Sequence, residues 1–296
     1  MKRLYVLLAL CALLFAALAC NLPWESPPDT PETPLPTDTE EAAIVEPTPE
    51  EPIEYPTDEP YTCAPDMVPA TALSVEFCYP AGVSSGISHR IEPEKLPSFE
   101  GEPWDFNPDT LFIDLLNYPV NGMYQDAQII IYPIEDYIEI GPSVATTITE
   151  LEILLIAQPP EPDFVPFLPV YNAAQMMQGN VKYLDFRNGY GVRFITQYGQ
   201  AASPITNDTA VYHFMGLTED GLYAISATFP INHDLFYPDI LTEPGEGWMA
   251  FAEGFDVYIQ NMESELGMQY PESFIPNLRL LDEMMTSLLI PADAIP

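Results

Sequence analysis

Positive charge is what this chain lacks most. Its 296 residues include 8 Lys and Arg against 45 Asp and Glu, a formal net charge of −37. So negative a surface repels nucleic-acid phosphates and anionic lipid headgroups, which excludes nucleic acid as a partner and leaves cations, basic proteins and neutral ligands. Histidine is scarce too, with His89, His213 and His233 scattered along the chain, and cysteine is confined to positions 11, 20, 63 and 78. So few nitrogen and sulfur ligands do not make a transition-metal site, and no cofactor is expected. The carboxylates allow weak calcium binding, although no loop carries the Asp-x-Asp-x-Asp-Gly spacing of a dedicated site.

Signatures of catalysis are equally thin. Gly82-Val83-Ser84-Ser85-Gly86 has the letters of a nucleophile elbow. That motif needs a strand before it and an apolar helix after it, which Ile87-Ser88-His89-Arg90-Ile91-Glu92-Pro93 does not supply. An ordinary Gly/Ser loop is expected there. His213 stands mid-strand between Tyr212 and Phe214, the setting of a hydrogen-bonded sheet histidine, and His233-Asp234 lacks a second ligand pair.

What is present begins at the N-terminus. Lys2 and Arg3 precede an apolar run over 4–19 that ends Ala17-Leu18-Ala19-Cys20. A basic start and about sixteen apolar residues read as a secretory signal peptide over 1–19. Small residues before a Cys resemble the bacterial lipobox, which implies a diacylglyceryl group on Cys20 and anchoring on the extracytoplasmic side of the cell membrane. The alternatives are an ordinary signal peptide cut after Ala19 and an uncleaved anchor helix. Export leaves Cys63 and Cys78 in an oxidising exterior, where they are expected to form a disulfide, the competing state being two free buried thiols.

Residues 20–61 form a linker of Pro, Thr, Glu and Asp without Lys or Arg, as in Glu46-Pro47-Thr48-Pro49-Glu50-Glu51-Pro52. Such composition cannot bury a core and predicts a disordered, extended stalk. From 62 to 296 aromatic and β-branched residues alternate with turn signals and no second linker appears, which predicts a single α+β domain.

Strands are predicted over 73–79 and 128–132, the second apolar throughout and so covered on both faces. Between them loops are expected, with a turn of helix over 110–117. Ser143 is expected to cap a helix carrying Val144, Ile148, Leu151 and Leu155, stopped by Pro159-Pro160, and a short helix is predicted over 171–178. Segments 181–187 and 190–198 flank Asn188-Gly189, predicting a two-residue hairpin in which Tyr183 faces Phe194 and Asp185 faces Val192. With 210–217 and 222–229 they make a four-stranded antiparallel meander. Helical spacing then recurs at Trp248, Phe251, Phe255, Tyr258 and Ile259, and at Leu278, Leu281, Met285 and Leu288 between Pro276 and Pro291. The expected architecture is an antiparallel sheet packed with helices.

The opening segment Leu73-Ser74-Val75-Glu76-Phe77-Cys78-Tyr79-Pro80, the meander ending Gly221-Leu222-Tyr223-Ala224-Ile225-Ser226, and the closing helix Leu281-Asp282-Glu283-Met284-Met285-Thr286-Ser287-Leu288 resemble the PsbP-like fold. That α/β sandwich is shared by photosystem extrinsic subunits, Mog-type nuclear-transport proteins and LpqN lipoproteins. The resemblance implies a binding or assembly module with no catalytic residues to carry over.

Of the six basic residues outside the leader, Lys182, Arg187 and Arg193 fall in one hairpin. They are a candidate site for an anionic ligand or a docking edge; the alternative is internal neutralisation of Asp185 and nearby acids. The functional expectation is a non-enzymatic surface lipoprotein that binds an extracellular protein or small ligand. The rival is an extracellular hydrolase whose site is assembled from distant residues.

Overall fold

The computed structural model describes residues 61–98, 102, 104–170 and 172–296, which lie in one compact unit spanning Glu59–Pro296. The expected signal peptide, Cys20 and all of the stalk except Tyr61 lie outside the described residues. Among the described residues, no helix is long and apolar enough to cross a membrane.

A hairpin of β1 (Met67–Ala72) and β2 (Val75–Pro80) opens the fold. Leu73, expected inside a strand, sits in its turn with φ of 55° and is exposed. Then come β3 (Gly86–Glu92), β4 (Thr110–Leu116), β5 (Gln128–Pro133), α1 (Ile134–Ile140) and α2 (Pro142–Ala157). Next are the short β6 (Ala174–Gln175), β7 (Gly179–Phe186), β8 (Gly189–Thr196), the short β9 (Tyr198–Gly199), β10 (Val211–Thr218) and β11 (Tyr223–Pro230). Helices α3 (Trp248–Glu253), α4 (Phe255–Gly267) and α5 (Leu278–Thr286) close the chain.

Seven strands form one antiparallel sheet in the order β3-β4-β5-β11-β10-β8-β7. The predicted meander is its β7-β8-β10-β11 half. The apolar run of β5 divides between two cores: Ile129 and Ile131 pack on one side of the sheet, Ile130 and Tyr132 on the other. The first side is covered by the β1–β2 hairpin, α4 and α5; the second by α1, α2 and the segment carrying Val165 and Leu168. Helix α5 buries Leu278, Leu281, Met284 and Met285 completely. Each such side chain contributes about 1.5–3 kcal/mol, enough to hold a nine-residue helix that would not persist alone.

Several expectations need correction. Residues 110–116 form β4 instead of the helical turn expected over 110–117, because Leu111, Ile113 and Leu115 alternate into one core with period two. No helix occurs among the described residues of 171–178; Ala174 and Gln175 pair with Gly199 and Tyr198 as strands. Helix α2 takes Gly141 as its N-cap, with Pro142 in the first turn ahead of Ser143. The aromatic helix is interrupted at Gly254. Helix α5 begins after Pro276, where the Asn277 side chain accepts a hydrogen bond from the Arg279 amide at 2.9 Å.

The hairpin register also differs. Phe186 pairs with Gly189 and Tyr183 with Val192, so the turn is Arg187-Asn188 and the expected pairs are displaced by two residues. Gly189 therefore belongs to the ladder. A Cβ there would collide with the Phe186 ring and the Leu217 carbonyl, so close packing requires the glycine. Asn188 is fixed from outside the hairpin, its amide bracketing the Ile290 backbone at 2.6 and 3.0 Å.

Candidate functional site

The three basic residues of the hairpin each end on a carboxylate. Lys182 Nζ donates to Asp282 Oδ2 at 2.9 Å, Arg193 Nε donates to Asp282 Oδ1 at 3.0 Å, and Arg187 pairs with Glu76 at 3.1 Å. Asp282 comes from α5, about a hundred residues after the strand it neutralises. Arg193 and Asp282 are 3% and 4% exposed, and the Tyr212 hydroxyl also donates to Asp282, at 3.1 Å. Burial, then the nearby Asp282 charge, holds the Tyr212 hydroxyl well above its ordinary pKa. Arg193 donates further to the carbonyl and side-chain oxygens of Asn180. Asn180 has φ of 50° in a bulge of β7, and its amide reaches the Leu266 carbonyl of α4 at 2.8 Å. This buried network thus pins the start of β7 against α4.

Cys63 and Cys78 are joined by a disulfide, their Cα atoms 5.8 Å apart. It ties the segment before β1 to the end of β2. Ser84, the would-be nucleophile, donates to backbone carbonyls of Gly86 and Leu116 at 2.6 and 2.9 Å, and it stabilises a turn into the edge strand β3.

His213 is fully buried under α2's side of the sheet. Its Nδ1 lies 2.5 Å from the Tyr198 hydroxyl and its Nε2 lies 2.9 Å from Ser226 Oγ. The Phe194 and Phe167 rings pack beside the imidazole. Burial lowers its pKa from 6.5 to about 3, so the ring is neutral, one nitrogen donating and the other accepting. Ser, His and Tyr in a row have the chemistry of a relay. Ser226 and His213 are 0% exposed, however, so no substrate reaches the hydroxyl in this conformation. His233 accepts a hydrogen bond from the Leu235 amide on Nδ1 at 3.1 Å and contacts Ser273 Oγ through Nε2 at 2.9 Å. Burial lowers its pKa and Asp234 partly opposes this. Among the described residues, no three His, Cys, Asp or Glu side chains come together as a metal site.

The surface offers a more accessible feature. Helix α2 buries Val144, Ile148, Leu151 and Leu155 yet leaves Ile153 61% and Ile156 81% exposed. After Pro159 and Pro160 the chain folds back along it. The Tyr183 hydroxyl holds the Pro159 carbonyl at 2.9 Å, and the Gln175 side chain pairs with both backbone groups of Val165 at 3.1 and 3.2 Å, like one rung of a ladder. With Val165 and Leu168 buried beneath, this loop is a fixed wall. Between it and α2 lies an apolar cavity of about 370 Å³, lined by Ile153, Leu154, Ala157, Pro162, Phe164 and Pro166, with Glu150 and Asp163 at its margin.

On the other side of Pro162 a polar cavity of about 580 Å³ is bounded by Glu161, Gln178, Asn180, Gln260, Glu263 and Ser264. Glu263 also accepts the Gln178 amide at 2.7 Å. No Lys, Arg or His occurs between Lys95 and Lys182, and no Lys or Arg between Arg193 and Arg279, so α2, the proline loop and α4 carry no Lys or Arg, while β7 carries Lys182, which is paired with Asp282. Among the described residues none of Glu150, Glu161, Asp163 and Glu263 forms an ion pair. No histidine stands beside Ser264 in the lining of the polar cavity.

Sequence reasoning did not single out this cleft or Asp282. The available signals were the apolar residues Ile153 and Ile156 outside the buried stripe of α2, and aromatic residues interleaved with prolines in Pro162-Asp163-Phe164-Val165-Pro166-Phe167. Comparison with family models, with curated proteins and with solved structures returned no match.

Proposed function

We propose that this chain is a non-enzymatic surface lipoprotein, anchored through Cys20, whose folded part is a binding or assembly module for an extracellular protein or small ligand. The observation that carries the binding half is the two-part cleft around Pro162: solvent-accessible, braced by hydrogen bonds, apolar on one side and carboxylate-bearing on the other. Preformed concave sites of roughly 300–1,000 Å³ with a few placed polar groups are the usual form of ligand sites. The layered antiparallel sheet with helices on both faces is in keeping with a PsbP-like module, which supports the same reading. The anchoring half rests on the leader ending at Cys20 and on the acidic, proline-rich segment after it.

The hydrolase reading rests on Ser226, His213 and Tyr198, and their burial disfavours it. Cys20→Ala is expected to move the protein from the membrane to the soluble fraction and to abolish fatty-acid labelling; unchanged labelling would remove the lipoprotein reading. Turnover of an ester, peptide or glycoside that disappears in Ser226→Ala would overturn the non-enzymatic one.

A further inference from the structure

We infer that the cleft around Pro162 recognises a cationic peptide segment that carries one bulky apolar side chain beside its Lys or Arg residues. The inference rests on the binding-module reading and names the partner chemistry. The apolar half presents Ile153, Phe164 and part of Pro162 to solvent, and a single large side chain filling it removes that surface from water. The polar half, directly across Pro162, offers Glu161 and Glu263 with the amides of Gln178 and Gln260. A ligand spanning both halves needs an apolar group and a cation a residue or two apart, which an extended peptide supplies.

Charge selects the occupant. The cavities carry four carboxylates without an ion-pair partner among the described residues, and the basic residue on the elements that line them, Lys182 of β7, is already paired with Asp282. A second copy of this chain, or its own segment over 20–61, brings further negative charge to that surface and is repelled. Anionic lipid is disfavoured for the same reason. A basic partner gains both long-range attraction and compensation of the carboxylates, while the apolar pocket supplies the anchor that fixes register.

The test is a fluorescence-anisotropy titration of the full-length protein in a non-ionic detergent, with circular dichroism to verify the fold of each variant. The probe is a labelled, amidated hexapeptide Gly-Lys-Arg-Trp-Lys-Gly; one control replaces the basic residues by Glu and another replaces Trp by Ala. The parent peptide should bind saturably with one site, and the Ala control about tenfold more weakly. Ile153→Ser with Phe164→Ala should weaken the parent by about tenfold as well. Glu161→Gln with Glu263→Gln should weaken it and reduce its salt dependence, while Glu219→Gln in the distant β10–β11 turn should leave it unchanged. Equal affinity across all variants would overturn the inference in favour of attraction by overall charge. Binding to phosphatidylcholine or phosphatidylglycerol vesicles that the Ile153 and Phe164 substitutions abolish would overturn it in favour of a membrane contact. Preference of the cleft for the Glu control overturns the inference and leaves the binding-module reading standing, whereas cleavage of the peptide, read by mass spectrometry, overturns that reading itself.

Discussion

Lowering the pH from 7.5 to 4.5 should destabilise the fold through His213. In the unfolded chain this imidazole titrates near 6.5; in the folded chain burial alone depresses it to about 3, and no charged side chain contributes. Below pH 6.5 the unfolded state therefore binds the proton that the folded state refuses. The stabilising contribution is complete above pH 6.5 and is lost progressively as the pH falls towards 3. Each unit corresponds to about 1.4 kcal/mol, so at pH 4.5 the loss is about 3 kcal/mol. The many carboxylates also titrate in acid and change stability on their own account, and His233, depressed by burial, adds a smaller effect of the same sign. Comparison with His213→Gln isolates the residue, since an amide remains neutral and keeps donor and acceptor for Ser226 and Tyr198. Urea denaturation at both pH values should show the wild type losing about 3 kcal/mol more than the variant. Equal losses, or an imidazole NMR titration centred near 6.5 in the native protein, would refute the argument. The NMR measurement uses the wild type alone and so decides the matter even if the variant does not fold.

Asp282→Asn should cost about 3–5 kcal/mol in urea denaturation, because it leaves the Arg193 guanidinium buried without its counter-ion. Arg193→Met combined with Asp282→Leu should recover much of that loss; a single-variant cost below about 1 kcal/mol would mean that water already compensates the pair. Replacing Cys63 and Cys78 together by Ser should lower stability by about 3 kcal/mol, since the bridge closes a loop with a sequence separation of 15. An unchanged melting temperature would show that the unfolded chain gains no freedom from its loss.

Local chemistry made much of the fold legible. The unbroken apolar run of β5 foretold cover on both faces, and two cores do meet on its alternate residues. The β10–β11 turn was readable from Thr218-Glu219-Asp220-Gly221, where Gly221 has φ of 71°. The misreadings share a cause. In β4 seven residues satisfy a helical turn and a strand alike, and the neighbouring strands β3 and β5 decide. In the β7–β8 hairpin Asn188-Gly189 is a turn signal by composition, yet the Phe186 ring and the Ile290 backbone claim those two residues for packing.

By itself, the sequence determined the acidic composition, the scarcity of histidine and cysteine and the alternation that builds an antiparallel sheet, because each depends on composition or on neighbours a few residues apart. Only the tertiary structure decided that Asp282 pairs with both Lys182 and Arg193, that His213 lies between Tyr198 and Ser226 beyond the reach of solvent, and that α2, a proline loop, β7 and α4 line two cavities on either side of Pro162. Those relations join residues separated by a hundred positions or more in places, and they follow from which faces two cores leave uncovered, a property that no local pattern encodes.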